Sequence, residues 1–222
     1  MTAEDPGYRV VEGVFTPAEL TQVVAALDGH LATRSRAGAR HVLALPEIRA
    51  LAGDSRMLEL AARFVGAVQP FRATLFDKSA AANWLVVWHQ DTALPMRAQV
   101  DAAGWGPWST KAGIVYAHAP ASALARVVAL RVSLDPSTDA NGPLRVLPGT
   151  HVHGLLDGAA VERLGLEVAP VSCTVGTGGV VAMRPLLLHA SSKSTSDARR
   201  RVLHIEYAAA TCCGPGLDLA VG

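Results

Sequence analysis

Two stretches near the start of the chain place apolar residues at helical spacing. Leu20, Val23, Val24 and Leu27 recur every three or four positions, which gathers them on one face of a helix. Thr16-Pro17-Ala18-Glu19 precedes them. The threonine suits a cap, the proline a first turn, and the glutamate completes a capping box. Gly29 stops the run. A second helix is expected from about Arg56 to Val68, capped by Asp54 or Ser55 and ended before Pro70.

After Pro70 the period shortens. Apolar runs occupy 71–77, 83–89, 111–117, 126–134, 144–147, 170–175, 179–183 and 200–209. Turn pairs such as Asn141-Gly142 and Gly178-Gly179 separate them. Many short strands at this spacing predict a sandwich or barrel, mainly β with flanking helices. A chain of 222 residues suffices for one domain of this kind. The expected organisation is a single domain over 1–222, with a helical lead-in at 1–69 and a β core at 70–210. The stretch 101–110, rich in glycine and tryptophan, is a candidate lid, with Trp105 and Trp108 as its covering groups.

Composition narrows the partners. A net charge of +1 favours neither nucleic acid nor a membrane surface, and the one basic run, Arg199-Arg200-Arg201, sits inside a strand pattern. Cys173, Cys212 and Cys213 make no disulfide framework, which fits a reducing cytoplasm. The opening residues lack the basic and apolar regions of a signal peptide. No run approaches the roughly 18 to 20 apolar residues that span a bilayer. The expectation is a cytoplasmic protein acting on a small molecule, its oligomeric state left open.

The chemistry concentrates at Trp88-His89-Gln90-Asp91 and at Leu186-Leu187-Leu188-His189. Strand residues two apart share a side, so His89 and Asp91 can ligate one metal from one strand. On that parity Asn83, Leu85 and Val87 should line the same cavity. A His-x-Asp triplet alone is more often structural. His189, from a distant strand, and Arg200, eleven residues further on, change the balance. Two imidazoles and a carboxylate fill one face of an octahedral iron(II) ion and leave the opposite face for a co-substrate and dioxygen. An arginine is the side chain best shaped to grip a carboxylate.

Other residues compete for these roles. His151 and His153 can share a strand face as zinc ligands, but no third ligand has natural spacing. Of the three adjacent arginines only one parity faces inward. If it is Arg200, Val202 and His204 face inward too, while Arg201, Leu203 and Ile205 point to a helix-covered side. Lys78, Lys111 and Arg131 lie in strand-like runs and need anionic partners. A substrate carboxylate would serve, as would Asp77, Asp135 or Glu206.

Several segments resemble the phytanoyl-CoA dioxygenase family of iron(II)/2-oxoglutarate oxygenases. They are Leu75-Phe76-Asp77-Lys78, Asn83-Trp84, Trp88-His89-Gln90-Asp91, Asn141-Gly142-Pro143-Leu144, Leu147-Pro148-Gly149-Thr150-His151, and Arg184-Pro185-Leu186-Leu187-Leu188-His189-Ala190-Ser191-Ser192. The resemblance covers about residues 70–210. It implies a double-stranded β-helix, the cupin-like jelly roll, with helices packed on one sheet. It implies His89, Asp91 and His189 as iron ligands and Arg200 as partner of the distal carboxylate of 2-oxoglutarate. Ser191 matches a position that assists that contact, and Asn83 has a parity suited to it. The implied reaction hydroxylates an unactivated C–H bond of a small molecule, consuming dioxygen and 2-oxoglutarate and releasing succinate and carbon dioxide. Asp91 argues against halogenation, because related halogenases keep a small residue there. The family acts on acyl-CoA thioesters, amino acids, alkaloids and other natural products, so the substrate stays open. Trp105, Lys111 and Arg131 are the candidates to touch it. A non-catalytic metal- or ligand-binding β-barrel and a cupin-like zinc enzyme are rival readings. Neither gives a reason for Arg200 and Ser191 behind the third ligand.

Overall fold

Period-2 alternation in three long strands gives the molecule its two working faces. The computed structural model describes residues 5–30 and 38–221, so the first four residues, the start of the segment read for a leader, lie outside it. β3 (Gln69–Lys78), β8 (Val127–Ser133) and β13 (Arg200–Ala208) pair antiparallel, with β13 in the middle. β1 (Tyr8–Val11), β2 (Gly38–Arg40) and β11 (Val180–Met183) complete a six-stranded sheet in the order β1-β11-β8-β13-β3-β2.

One face of this sheet is apolar. Leu75, Val128, Leu130, Val132, Leu203, Ile205 and Tyr207 pack there against Leu27, Ile48 and Met57. The latter come from helices α1 (Thr21–Gly29), α2 (Pro46–Ala52) and α3 (Ser55–Val65). The Tyr207 hydroxyl donates to the Ala52 carbonyl at 2.9 Å, which ties the sheet to the end of α2. The opposite face carries Arg72, Thr74, Phe76, Arg131, Arg200, His204 and Glu206 and lines a cavity.

A second sheet covers that polar face. Its order is β10-β9-β12-β4, from β4 (Val86–His89), β9 (Leu144–Val146), β10 (Val171–Cys173) and β12 (His189–Ser191). Ala129, Val181 and Met183 of the large sheet pack with Leu144, Val146 and Leu187 on this side. Two antiparallel sheets enclosing a core, with helices outside the larger, form a double-stranded β-helix. A third sheet, β5-β7-β6, comprises β5 (Ala93–Met96), β6 (Trp108–Lys111) and β7 (Ile114–His118). Helices α4 (Ala121–Leu124) and α5 (Gly158–Glu167) lie further along the chain.

Local expectations were met unevenly. Thr16 and Glu19 exchange the capping-box bonds, Thr16 N to Glu19 Oε2 at 2.7 Å and Glu19 N to Thr16 Oγ1 at 3.3 Å. Residues 17–20 nevertheless form turns, and regular helix starts at Thr21. Asp54 caps α3 by accepting from Arg56 N at 2.9 Å. That helix ends at Val65, short of Val68, because Gly66 turns to a φ of 80°. The lead-in is not purely helical, since β1 and β2 join opposite edges of the large sheet. The expected strand at 111–117 is instead a hairpin, turned at Ala112-Gly113 with φ of 50° and 78°. Among the described residues no helix is long and apolar enough to cross a membrane.

Candidate active site

His189 in β12 lies directly opposite His89 in β4, while Ser191 lies opposite Val86. β4 therefore holds one residue more than β12 between these pairs, a bulge that switches the side its residues face. This corrects the parity expected for the strand. Leu85 and Val87 are 59% and 68% exposed, and the cavity is lined by Trp84, Val86 and His89 instead. A bulge leaves no mark in the hydrophobic pattern, because Val86 and Val87 are both apolar.

The bulge swings His89 and Asp91 toward His189. Their ligand atoms all lie within 4.8 Å of one another, and among the described residues this is the group of three suited to a metal. His189 Nε2 stands 3.4 Å from Asp91 Oδ2, and His89 Nε2 3.7 Å from Asp91 Oδ1. Each imidazole donates from Nδ1 to a backbone carbonyl two residues back, Val87 and Leu187, both at 2.9 Å. Those bonds fix the tautomer and leave both Nε2 lone pairs free for one ion. Burial and the neighbouring His189 hold the His89 imidazole below its ordinary pKa. Desolvation opposes ionisation of Asp91, but the histidines around it outweigh this and keep its carboxyl well below the usual range. A lowered His89 pKa and an ionised Asp91 both favour binding of a divalent cation. The donor set fits iron(II), and all three residues line a cavity of about 350 Å³, a size suited to small molecules.

Hydrogen bonds behind the triad hold its two strands. Asp91 N donates to the Pro185 carbonyl at 2.9 Å. The Gln90 amide donates to the carbonyls of Gly154 and Leu186 at 2.8 and 2.7 Å and accepts from Leu156 N at 3.0 Å. Thr150 Oγ1 accepts from Leu188 N at 3.0 Å, just before the third ligand. The sequence motif contained Gln90 and Thr150, but their clamping roles depend on distant backbone. His151 stands 3.8 Å from Asp5 in a short turn away from the triad, and among the described residues the His151/His153 pair gathers no third ligand there.

The three consecutive arginines divide as alternation requires. Arg199 makes a two-bond contact to Asp77 at 2.9 and 2.8 Å, and Arg201 does the same with Asp135 at 2.8 Å for each bond. Arg200 points into the cavity, buried, its side chain donating among the described residues only to the Asn141 carbonyl at 3.1 Å. Opposite it on β3 sits Lys78, whose Nζ donates to Ser191 Oγ at 2.9 Å and the Ser192 carbonyl at 2.6 Å. Burial pushes Arg200 down to about 10, and burial with Arg200 and Arg131 nearby pushes Lys78 down to about 8. Arg131 completes the group. It donates to His204 Nδ1 at 3.0 Å and lies over the Phe76 ring, with its pKa also lowered by burial. Buried Lys78 and Arg200 and half-buried Arg131 gather here, and among the described residues none of the three has an ion pair to a carboxylate, a set suited to an anion.

The remaining expected residues fall unevenly. Ser191 lines the cavity, but its proton goes to the Gly142 carbonyl at 2.8 Å, leaving its oxygen to accept from Lys78. Asn83 is outside the cavity lining. Both ends of its amide engage Ser194, at 2.9 and 2.8 Å, so it clamps the loop after β12 rather than facing a co-substrate. Lys111 and Arg131 line the cavity. Trp105 and Trp108 do not, packing instead against the cluster of Phe71, Leu94 and Met96. The loop carrying them is pinned to β7 by Gly106 N to the His118 carbonyl at 2.8 Å. Their indoles are partly buried by these core contacts, which gives them a packing role away from the cavity. Trp105→Ala should therefore lower stability by about 2 kcal/mol, read by chemical denaturation, with little effect on the cavity. A wild-type denaturation midpoint in that variant would restore the lid.

Sequence reasoning missed Arg72, Tyr116 and Arg40. Arg72 pairs with Glu206, its Nη2 lying 2.6 Å from Oε1. Its parity with Lys78 along β3 was the available signal. Tyr116 and Arg40 come from elements whose approach to the cavity no spacing announces.

The phytanoyl-CoA dioxygenase family model matches residues 3–202. An L-proline trans-4-hydroxylase from Streptomyces griseoviridis is 31% identical over 140 residues, which is 50% of this chain and 51% of that protein. The matching stretch thus spans about half the length of that relative. Among solved structures, AviO1 from Streptomyces viridochromogenes Tue57 superposes with a TM-score of 0.66 and 23% identity, covering 97% of this chain and 93% of its own. The epimerase SnoN, solved with Fe3+, alpha ketoglutarate and nogalamycin RO, gives a TM-score of 0.70 at 20% identity, covering 93% of this chain and 80% of its own. The extent of the family match, together with the shared fold, places this chain in the phytanoyl-CoA dioxygenase family.

Proposed function

We propose that the protein is an iron(II)- and 2-oxoglutarate-dependent dioxygenase that hydroxylates an unactivated C–H bond of a small molecule, releasing succinate and carbon dioxide. The observation that carries this reading is the pairing of the His89-Asp91-His189 group with a buried, carboxylate-free arginine in one cavity. The S. griseoviridis relative is named for a hydroxylation, in keeping with that reaction type.

Each residue's part follows from its contacts. His89 and His189 offer Nε2, and Asp91 offers one carboxylate oxygen, to the iron. Bound iron supplies the activation of dioxygen and the oxidation itself. Arg200 and Lys78 grip the distal carboxylate of 2-oxoglutarate, and Ser191 positions the Lys78 ammonium. Phe76, Trp84, Val86 and Leu144 give the cavity an apolar wall that limits water at the reacting centre. The test is succinate formation from 2-oxoglutarate by protein reconstituted with iron(II), compared with the same protein carrying zinc. Equal, background-level succinate in both would overturn the reading.

The cation cluster predicts a pH dependence. Lys78 loses its proton near pH 8 in the free protein. A bound carboxylate favours the charged form, so above that pH binding must take up a proton. The affinity for 2-oxoglutarate should fall as pH rises through about 8, and Lys78→Met should bind more weakly with a flatter profile. A pH-independent affinity in the native protein, measured by calorimetry, would remove Lys78 from the contact.

A further inference from the structure

The charges lining the cavity do not balance. Arg40, Arg72, Lys111, Arg131 and Arg200 face two carboxylates, Asp91 and Glu206. On the dioxygenase reading, which this inference rests on, Asp91 holds iron and Arg200 holds 2-oxoglutarate. Glu206 is taken by Arg72. Iron(II) and the 2-oxoglutarate dianion cancel, so the cavity keeps its positive excess when both are bound.

Arg131 belongs with Arg200 and His204, which leaves Lys111 and Arg40 as the other unmatched lining charges. Lys111 ends β6 and Arg40 ends β2, and both are exposed. Among the described residues, neither side chain has an ion pair or hydrogen bond. Lys111 Nζ lies 5.3 Å from the centre of the Tyr116 ring, and Arg72 Cζ lies 5.6 Å from it. The Tyr116 hydroxyl reaches His41 Nε2, next to Arg40, at 3.5 Å. Tyr116 thus forms a wall beside Arg72 and Lys111, with His41 at its hydroxyl. Two exposed cations lining one cavity, with no protein carboxylate paired to either among the described residues, make a positive mouth that favours an anion.

We propose that the substrate carries an anionic head group, a carboxylate or a phosphate, which Lys111 and Arg40 hold beside Tyr116. The uncharged remainder extends toward the His89-Asp91-His189 group. A free α-amino acid is disfavoured, because among the described residues no lining carboxylate is left for its ammonium group. This sets the chain apart from what the name of its proline-hydroxylating relative would suggest.

The experiment titrates five probes of one chain length: hexanoate, hexyl phosphate, 1-hexanol, hexylammonium and L-norleucine. Calorimetry is run on protein loaded with zinc(II) and 2-oxoglutarate, and in parallel on metal-free protein. At least one anion should bind about tenfold more tightly than hexanol, hexylammonium or norleucine, and the preference should shrink with added salt. The better of hexanoate and hexyl phosphate names the head group. Lys111→Ala and Arg40→Ala should each weaken that anion by about three- to tenfold while leaving 2-oxoglutarate binding unchanged. Hexanol or norleucine binding as tightly as both anions, or anion affinities unchanged in both variants, would overturn the proposal. Failure of the native protein to bind 2-oxoglutarate would count against the dioxygenase reading instead. The effect of the two variants on anion binding in the metal-free protein would still decide the head-group proposal.

Discussion

Alanine at His89, Asp91 or His189 is expected to reduce 2-oxoglutarate turnover by more than about 100-fold. That is the upper range for losing a mere supporting partner of a metal ligand, and a ligand itself should cost more. The three ligand atoms lie within 4.8 Å of one another on one side of the cavity, and no other His, Cys, Asp or Glu among the described residues joins them. A two-ligand remnant therefore has no substitute. Iron(II) titration should show the same loss as turnover, and circular dichroism should show a folded chain, because the core clusters lie elsewhere. Any of the three variants keeping native iron affinity and turnover would remove that residue from the metal site.

Arg200→Ala is expected to raise the 2-oxoglutarate concentration needed for half-maximal rate by roughly ten- to a hundredfold, the worth of a charge-assisted contact of about 1.5 to 3 kcal/mol. Arg199→Ala and Arg201→Ala should leave that requirement nearly unchanged. Those guanidiniums already hold Asp77 and Asp135 on the other face of β13, so their removal should appear as lost stability. The contrast among three adjacent arginines separates a binding role from general electrostatic attraction. A largest binding loss at Arg199 or Arg201 would contradict the placement of Arg200. The pairing of Arg200 with Lys78 across the sheet adds a further check. Lys78→Met should weaken 2-oxoglutarate in the same direction, and the double variant should lose less than the sum if both grip one carboxylate.

Much of this arrangement was legible in the residues. The alternation in 200–209 correctly separated Arg200 and His204 from Arg201, Leu203 and Ile205, because a regular strand between two different environments obeys period 2 strictly. The cores of β3, β8, β9, β10 and β11 were legible as short apolar runs bounded by turn residues. The spacing of His89, Asp91 and His189 identified the group that the fold gathers. Element ends were less legible: Gly66 stopped α3 early, and turns replaced the first residues of the helix begun at Thr16.

What the sequence determined by itself is the strand alternation and the identity of the chemically capable side chains. Only the tertiary structure decided which neighbours they meet. The bulge in β4 reversed the side taken by Val86 and Val87, since either valine satisfies the apolar pattern and the register is set by pairing with β12. Asn83 went to the Ser194 backbone, and Trp105 went to the core beside Met96, because each found partners far away in the chain. The cavity wall of Arg40, Arg72, Lys111 and Tyr116 is assembled from β2, β3, β6 and β7. Hydrophobic periodicity is a local property, whereas charge balance inside a cavity is a sum over segments that meet only on folding.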